Sequence, residues 1–150
     1  MNILIRESIC EDIEALSPFL REPDKLEVLT MGVDPKEALT VSFKQSSACF
    51  SLLLEGEIIA MFGIAPKSLL GNTAILWCLT SSGVEKVRVF FGKQSKKYVS
   101  CFLNQYAVLE NWVDSRYERS IHWLKWLGAE FDMVTNINGV DFCHFEIRRG

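Results

Sequence analysis

The sequence has no long hydrophobic run, and this lack excludes a helix that crosses a membrane. Its longest apolar stretches, residues 49–54 and 58–64, fall far short of the roughly 20 residues that span a bilayer. The N-terminus also lacks the basic segment and apolar core of a signal peptide, because charged residues of both signs begin at Arg6. We therefore expect a cytoplasmic protein without a membrane partner.

An excess of charge of one sign is likewise missing. The chain carries 16 basic and 19 acidic residues, and its net charge is −3. Domains that bind nucleic acid directly usually have a basic face or a strongly positive balance. The composition therefore predicts no direct nucleic-acid partner.

Cysteine is present, but without the spacing that binds metal. The five cysteines are odd in number and far apart, and no C-x-x-C pair occurs, so no metal site is predicted. Cys78 lies within the apolar run ILWCLT and is interpreted as a buried, unreactive thiol. A hydrolase is not favoured either, because the G-x-S-x-G nucleophile elbow is absent.

The remaining composition is that of an ordinary globular protein. Its 150 residues are 49% hydrophobic and 23% charged, and no repeat or low-complexity linker interrupts them. A chain of this length suits one domain and can bury a core of its own. We therefore predict a single domain over residues 1–150.

The N-terminal region predicts a strand and then a helix. Residues 3–6 alternate as in a short strand. Ser8-Ile-Cys-Glu11 is a capping-box pattern, in which the serine accepts from a backbone N–H and the glutamate reaches back. We expect the helix that follows to end at Pro23.

The next segments predict a second helix and a hairpin. Asp34-Pro35 is a helix start, with the aspartate as cap and the proline in the first helical position. Leu39 and Val41 are expected to point inward. Residues 48–55 and 58–65 flank a short turn and read as a β-hairpin.

The middle of the chain predicts a buried strand and a long helix. Residues 73–80 are almost continuously apolar, as expected for a central strand that is buried on both faces. A helical pattern then runs over residues 84–105, and Gly92 is expected to divide it. Residues 108–113 form another short strand.

The C-terminal region predicts one more helix and a final hairpin. Ser115-Arg-Tyr-Glu118 is a capping box, and Gly128 stands where a helix ends in a left-handed residue. The strands 129–135 and 140–148 flank Asn138-Gly139, a strong hairpin signal. The element order β-α-α-β-β-β-α-β-α-β-β therefore indicates an α+β (mixed α/β) fold with about seven strands and about four helices.

One segment resembles a known family. Residues 109–131, LENWVDSRYERSIHWLKWLGAEF, resemble the "strand, then N-x-x-A-I-x-x-x-x-x-x-G-F" segment of the acyl-CoA N-acyltransferase (GNAT) superfamily. Tyr117 stands at the common asparagine, Ser120 at the alanine and Gly128-Ala129 at the Gly-Phe pair. The string W-L-K-W-L-G is also similar to phage-encoded members, among them small internal or morphogenesis proteins of T7-like phages. The element order agrees with this superfamily over nearly the whole chain.

The resemblance implies a GNAT-like fold and an acetyl-CoA site. In that fold the sheet is mixed and mostly antiparallel, strands 4 and 5 splay apart into a wedge, and acetyl-CoA enters it as co-substrate. Its pantetheine pairs with the backbone of strand 4, and its pyrophosphate lies on the N–H groups where the next helix begins. The cofactor-binding residues implied here are Trp77, Cys78, Leu79, Thr80, Ser81, Ser82, Gly83, Val84, Lys86, Arg88 and Asn111.

The phosphate loop departs from the family's Q/R-x-x-G-x-G/A pattern. It contains a single glycine, Gly83, and Glu85 adds a negative charge beside the expected phosphates. Lys86 and Arg88 are placed to offset that charge. The same basic stretch is equally interpreted as a solvated helix face.

The catalytic groups implied by the resemblance are Glu110, Asp114 and Tyr117. Glu110 and Asp114 flank strand 5 as candidate bases, although Asp114 is also placed to help the next helix start. In the family, a tyrosine acts as the general acid that protonates the leaving thiolate. Leu124 occupies the position of that tyrosine here, and Tyr117 lies nearly two turns earlier. The two histidines, His122 and His144, are interpreted first as packed or surface residues.

Two functional hypotheses follow from the resemblance. The first is an acetyl-CoA-dependent N-acetyltransferase that acts on a primary amine of a small molecule or a protein. The alternative is a catalytically silent GNAT-like phage protein that acts in assembly or host interaction, in the host cytoplasm. Expected macromolecular partners are a second copy in a homodimer, or a phage or host protein.

Overall fold

The computed structural model describes all residues from 1 to 150 and contains seven strands and five α-helices. The strands are β1 (Ile3–Glu7), β2 (Ala48–Leu54), β3 (Glu57–Pro66), β4 (Thr73–Thr80), β5 (Val108–Asp114), β6 (Glu130–Ile137) and β7 (Val140–Arg148). The helices are α1 (Glu11–Leu16), α2 (Glu22–Thr30), α3 (Pro35–Gln45), α4 (Arg88–Gln105) and α5 (Glu118–Trp126), with 3-10 helices at Ser17–Phe19 and Ser82–Val87. Each of these helices is too short or too polar to span a membrane.

The seven strands form one sheet in the order β1-β2-β3-β4-β5-β7-β6. β4 and β5 run parallel, whereas the β1–β2, β2–β3, β5–β7 and β6–β7 pairs are antiparallel. This confirms the predicted mixed class and strand number, with five helices instead of four. The chain divides into two compact units, residues 1–65 with 77–88 and residues 66–76 with 89–150, so the single domain stays a prediction.

The core of the first unit is apolar and comes from α1, α3, β3 and β4. Leu16, Leu39 and Met61 are completely buried in it. Truncating such a leucine to alanine usually costs about 2–5 kcal/mol, because transfer energy is lost and a cavity remains. The buried members of this cluster are Ile13, Leu16, Leu39, Met61, Trp77 and Leu79.

The entrance to α1 differs from the predicted capping box, and that prediction is wrong. Ser8 Oγ shares a hydrogen bond with Ser51 Oγ at 2.7 Å instead of capping the helix. Asp12 takes over the entrance, because its Oδ2 accepts from the Ile9 N–H at 3.0 Å. Both Asp12 oxygens also accept from the Arg6 guanidinium, at 2.8 and 2.9 Å. Charge-assisted bonds of this kind are stronger than the bonds of a serine hydroxyl.

The predicted end of the first helix at Pro23 is also wrong. Pro23 lies in the first turn of α2, where the missing N–H of a proline costs nothing. α1 already ends at Leu16, because Pro18 has no N–H to continue the helical hydrogen bonds, and a 3-10 turn follows.

The second predicted helix start is confirmed. Asp34 Oδ1 accepts from the Glu37 N–H at 2.8 Å, and Pro35 opens α3. Leu39 is buried as expected, but Val41 is 44% exposed, so its inward orientation was a wrong prediction. Helical geometry explains the difference, since residues two apart cannot share one face.

The core of the second unit lies on one side of β5 and β7. Leu109 and Val113 from β5 and Phe145 and Ile147 from β7 are buried, and they alternate with more polar residues along each strand. Buried residues of the two adjacent helices belong to the same unit, namely Val99 and Phe102 of α4 and Leu124 of α5.

Two helix boundaries in this region differ from the predictions. The helical stretch begins as the 3-10 helix over residues 82–87, and α4 then passes through Gly92 without a break. An interior glycine costs about 1 kcal/mol relative to alanine, which a packed helix tolerates. Ser115 does not cap α5, because the Asp114 carboxylate accepts from the Arg116 N–H at 2.9 Å at this entrance.

The C-terminal hairpin is confirmed. Asn138 and Gly139 have φ values of 51° and 88°, as a tight hairpin turn requires. Gly128, with φ of 102°, ends the last helix in the left-handed conformation that was expected there.

Candidate functional site

The parallel pairing of β4 with β5 is short. The register covers Thr73–Ile75 and Val108–Glu110, although β4 continues to Thr80 and β5 to Asp114. The Asn111 side chain marks the end of this pairing, because its Nδ2 donates to the Leu76 carbonyl at 2.8 Å. Asn111, a predicted cofactor residue, thus links the two strands by its side chain directly after the last pair of the β4–β5 ladder.

The C-terminal half of β4 belongs to the first unit and is held there by α2. Asp24 Oδ2 accepts from both the N–H and the Oγ1 of Thr80, each at 2.7 Å. The Thr80 carbonyl accepts from the Arg21 N–H at 2.8 Å. On the other side of the strand, the Ser81 N–H donates to the Ile59 carbonyl of β3 at 2.8 Å. Thr80 therefore has its N–H and C=O on the edge away from β3, and both are engaged.

Cys78 is the next position on that same edge, because backbone groups alternate along a strand. The β5 register ends before it, at Ile75, so Cys78 directs its N–H and C=O to an edge that β5 does not pair. Burial, reinforced by the Asp24 carboxylate, raises the pKa of the Cys78 thiol far above its usual range. The thiol therefore stays protonated, in line with the unreactive role expected for it.

The side chains of Trp77 and Leu79 point into the core of the first unit. Trp77 Nε1 donates to Ser46 Oγ at 2.7 Å, which fixes the indole beside the end of α3. These two predicted cofactor residues can offer a ligand only their backbone.

The loop after β4 is a tight turn that opens the 3-10 helix. Ser81 Oγ accepts from the Gly83 N–H at 3.2 Å, and the Ser81 carbonyl accepts from the Val84 N–H at 3.2 Å. A Cβ atom at Gly83 would lie 2.7 Å from Ile59 Cγ2, so this position requires glycine for packing. Ser82 is exposed at the tip of the turn.

The negative charge of Glu85 is offset in the structure. Its carboxylate lies 3.4 Å from Arg21 Nη1 and 3.6 Å from Arg88 Nε. Arg88 was expected in this role, whereas Arg21, from the start of α2, was not. Lys86 is exposed on the same turn. No spacing in the sequence connects Arg21 with Glu85, because 64 residues separate them.

In the second unit, Glu110 is held between two basic side chains. Its carboxylate is mostly buried, with 12% of the side chain exposed. Oε1 accepts from Lys67 Nζ at 2.5 Å, and Oε2 lies 3.5 Å from His144 Nε2. The predicted base candidate is therefore an ammonium-binding carboxylate at the end of the β4–β5 pairing.

His144, which the sequence analysis interpreted first as a packed or surface residue, lies beside Glu110 in the structure. It is buried on β7, its Nδ1 lies 2.8 Å from Asp132 Oδ1, and its ring lies 4.8 Å from the Trp112 ring. Asp132 reaches it because the β6–β7 register shifts between Phe131 and Met133. The bond to His144 lowers the pKa of Asp132 below its usual value. The one sequence signal for an inward-facing imidazole was the alternation of side-chain direction along β7, which places His144 on the opposite face from its neighbours.

Asp114 and Tyr117 lie at the other end of β5. The Asp114 side chain is fully buried, and its oxygens accept from Arg116 Nε and Nη2 at 3.0 and 2.7 Å. Burial by itself would raise the pKa of Asp114, but the bonds from Arg116 outweigh it and hold the pKa below its usual value. Tyr117 is half-buried under the Arg116 guanidinium, 5.8 Å from the ring centre. Leu124 is buried and has no proton to donate.

Comparisons with known proteins identify the fold. No protein-family model matches the sequence, and no curated protein matches it. Ard1 from Thermoplasma volcanium is similar in structure, with a TM-score of 0.76 at 12% identity over 99% of this chain and 98% of that one. A GNAT-family acetyltransferase from Bacillus anthracis has a TM-score of 0.72 at 12% identity, over 99% and 95% of the two chains. A Bacillus subtilis acetyltransferase in complex with CoA has a TM-score of 0.65 at 8% identity, over 99% and 98%. The chain therefore has the GNAT fold.

Proposed function

We propose that this chain, with its GNAT fold, is an acetyl-CoA-dependent N-acetyltransferase that transfers an acetyl group to a primary amine. The observation that carries the proposal is the early end of the β4–β5 pairing. β4 continues for five residues beyond Ile75, its last paired residue, and then enters the Ser81–Val84 turn. A free strand edge followed by a helix start is the arrangement that a pantetheine chain and a pyrophosphate require.

Acetyl-CoA would be held mostly by backbone groups. The Cys78 N–H and C=O would pair with a pantetheine amide, and the turn at Ser81–Val84 would face the pyrophosphate. Lys86 would supply positive charge, and Arg88 would add to it from its place beside Glu85, whose carboxylate also has Arg21 as a partner. Since the N–H groups of Gly83 and Val84 already donate to Ser81, the two basic side chains would carry much of the pyrophosphate binding.

The chemistry needs a base more than it needs an acid. The acceptor arrives as an ammonium ion, and Glu110 would take its proton. The free amine then attacks the thioester carbonyl, the C–N bond forms, the C–S bond breaks to release the CoA thiolate, and the nitrogen loses its second proton. With Leu124 at the usual tyrosine position, water would carry that second proton to the thiolate. Holding the amine against the thioester can supply much of the rate.

A second function is favoured by one observation. Asp24 and Arg21 already engage the Thr80 backbone, so this part of the β4 edge is closed to a ligand unless they move. A catalytically silent GNAT fold used in phage assembly or host interaction would need no open edge. The W-L-K-W-L-G string, similar to phage-encoded members, agrees with either function. A second copy or a phage or host protein is the partner that the silent function requires.

Titration calorimetry with acetyl-CoA on the full chain separates the two functions. We expect saturable binding at one site, weakened several-fold in the variant Lys86→Ala with Arg88→Ala. Lys97→Ala is the matched control, because Lys97 is an exposed cation farther along α4 and should leave binding unchanged. A chain that binds no acetyl-CoA at millimolar concentration contradicts the transferase and favours the silent function.

A further inference from the structure

The strongest unexplained feature is a line of three side chains from three strands of the second unit. Glu110 on β5, His144 on β7 and Asp132 on β6 meet in that order. We infer that His144 and Asp132 form a proton exit route for Glu110, which receives the ammonium group of the acceptor amine. This inference rests on the proposed transferase function and adds two positioning residues to it.

The strand register explains why the three groups meet. Trp112 of β5 pairs with His144 of β7, and Met133 of β6 pairs with His144 from the other side. Glu110 lies two residues before Trp112, so it is the diagonal neighbour of His144 on the same face. The irregularity in β6 turns Asp132 toward the imidazole. The Trp112 ring, 4.8 Å away, covers the imidazole and limits its contact with water.

One hydrogen bond and one longer contact define the direction of the route. His144 Nδ1 lies 2.8 Å from Asp132 Oδ1, and because an ionised carboxylate can only accept, this bond requires the N–H to be at Nδ1. Nε2 then faces Glu110 Oε2 at 3.5 Å. With Nδ1 engaged by Asp132, Nε2 has its lone pair on the side of the Glu110 carboxylate, so a proton on Glu110 Oε2 would have an acceptor next to it.

The proton balance of the route is simple. The acceptor ammonium transfers a proton to the Glu110 carboxylate, and the resulting carboxylic acid turns its O–H toward His144 Nε2 and passes the proton on. The imidazolium then gives its Nδ1 proton to Asp132, which leaves a neutral imidazole with its proton on Nε2. Proton exchange with water, which adds a proton at Nδ1 and removes the one at Nε2, restores the starting tautomer before the next turnover. Asp132 is 45% exposed and returns the proton to water. No metal, oxidant or other co-reactant takes part.

Lys67 shows that Glu110 accepts a primary ammonium group. The Lys67 Nζ donates a hydrogen bond to Glu110 Oε1, and 57% of the Lys67 side chain is exposed. Because the Lys67 side chain is more than half exposed, it can swing into water, and an acceptor amine can take its place on Glu110. The charged groups that face the route are thus Lys67 and Glu110 at one end and Asp132 at the other.

The test compares His144→Gln with His122→Gln, a matched change at an exposed histidine. Formation of acetylated product from acetyl-CoA is measured by mass spectrometry against pH, with n-butylamine, spermidine and a peptide with a free N-terminus as acceptors. We expect His144→Gln to lower kcat about tenfold or more at neutral pH and to remove one ionisation from the pH profile, while KM for acetyl-CoA stays constant. Asp132→Asn should lower kcat by a smaller factor, and His122→Gln should change neither value.

The outcomes separate this inference from the proposed function. A wild-type chain that acetylates none of the three amines contradicts the transferase, and the catalytic role of His144 falls with it. An active wild type whose His144→Gln variant is folded but keeps the wild-type kcat and pH profile overturns the proton route alone. Nitrogen-15 NMR of the imidazole is the readout that does not depend on activity. We expect a protected Nδ1 proton that is lost in Asp132→Asn, and an Nδ1 that carries no proton in the wild type overturns the route.

Discussion

The end of β4 and the surroundings of Glu110 differ in what they offer a ligand. Along residues 77–80 the side chains are buried or engaged, and the Cys78 edge offers backbone groups only. Around Glu110 the strands are fully paired with β7, and three titratable side chains meet on one face. The first region thus suits recognition of a co-substrate whose own amides need partners, and the second suits proton transfer. Side-chain substitutions at the second region should therefore lower turnover, whereas those along β4 should leave acetyl-CoA affinity almost unchanged, because the backbone of β4 provides the pairing.

The largest expected effect tests the second region. Glu110→Gln keeps the shape of the side chain but cannot take a proton, so we expect kcat to fall by about 100-fold or more. Acetyl-CoA affinity, measured by calorimetry, should stay within a few-fold of the wild type. Glu118→Gln is the control, because Glu118 is an exposed carboxylate at the start of α5 and should leave kcat unchanged. A Glu110→Gln enzyme with wild-type kcat would remove Glu110 from the chemistry.

Asp114 offers the sharpest contrast with Glu110. Because Arg116 takes both of its oxygens, Asp114→Asn should lower the free energy of unfolding by about 2 kcal/mol and leave kcat per folded molecule unchanged. The bonds hold the pKa of Asp114 below its usual value, so their stabilisation is present above about pH 4 and is lost as the pH falls through the folded-state pKa. Urea unfolding at pH 7 and at pH 3 should show the difference between wild type and variant shrink. A variant as stable as the wild type at pH 7 but slow in turnover would make Asp114 the base.

A smaller effect is expected for the hydrogen bonds between Asp24 of α2 and Thr80 of β4. Asp24→Asn weakens two hydrogen bonds to Thr80, and we expect a loss of about 1 kcal/mol in the free energy of unfolding. Acetyl-CoA affinity should change by less than about threefold, a difference below 1 kcal/mol, because Cys78 and not Thr80 provides the pairing. Thermal unfolding and calorimetry on the same preparation check both values. A large gain in affinity would show instead that Asp24 competes with the ligand for the strand edge.

The smallest effect is expected at Cys78. Cys78→Ala leaves the backbone edge intact, so acetyl-CoA affinity should stay within about twofold, a difference below 0.5 kcal/mol. The raised pKa also predicts that iodoacetamide at pH 8 leaves Cys78 unmodified, which peptide mass spectrometry can check. A tenfold loss of affinity in Cys78→Ala would mean that the side chain itself is recognised.

The elements that sequence reasoning located are those with local causes. The Asp34-Pro35 start, the Asn138-Gly139 turn and Gly128 each depend on the conformation of two or three adjacent residues. The predictions of two capping boxes were wrong for the same physical reason. At Ser8 and at Ser115 a nearby aspartate that also binds an arginine occupies the helix entrance, and the pairing of Asp12 with Arg6 depends on a strand six residues away.

The candidate site was predictable only where it depends on position along the backbone. The strand and the turn that contain residues 77–84 were predicted because they are consecutive in the chain, and their role in binding a ligand stays a prediction. The meeting of Glu110, Asp132 and His144 could not, because it requires the β5-β7-β6 order and an irregularity in β6. Arg21 near Glu85 was missed for the same reason, since α2 reaches the loop only in the folded chain.

The most direct test of acetyl-CoA binding at the β4 edge is a crystal structure of the chain grown with CoA. We expect a pantetheine amide to pair with the N–H or C=O of Cys78 and the pyrophosphate to face the turn at Ser81–Val84. A complex in which CoA leaves the Cys78 edge uncovered, with Arg21 and Asp24 still on Thr80, would contradict this expectation.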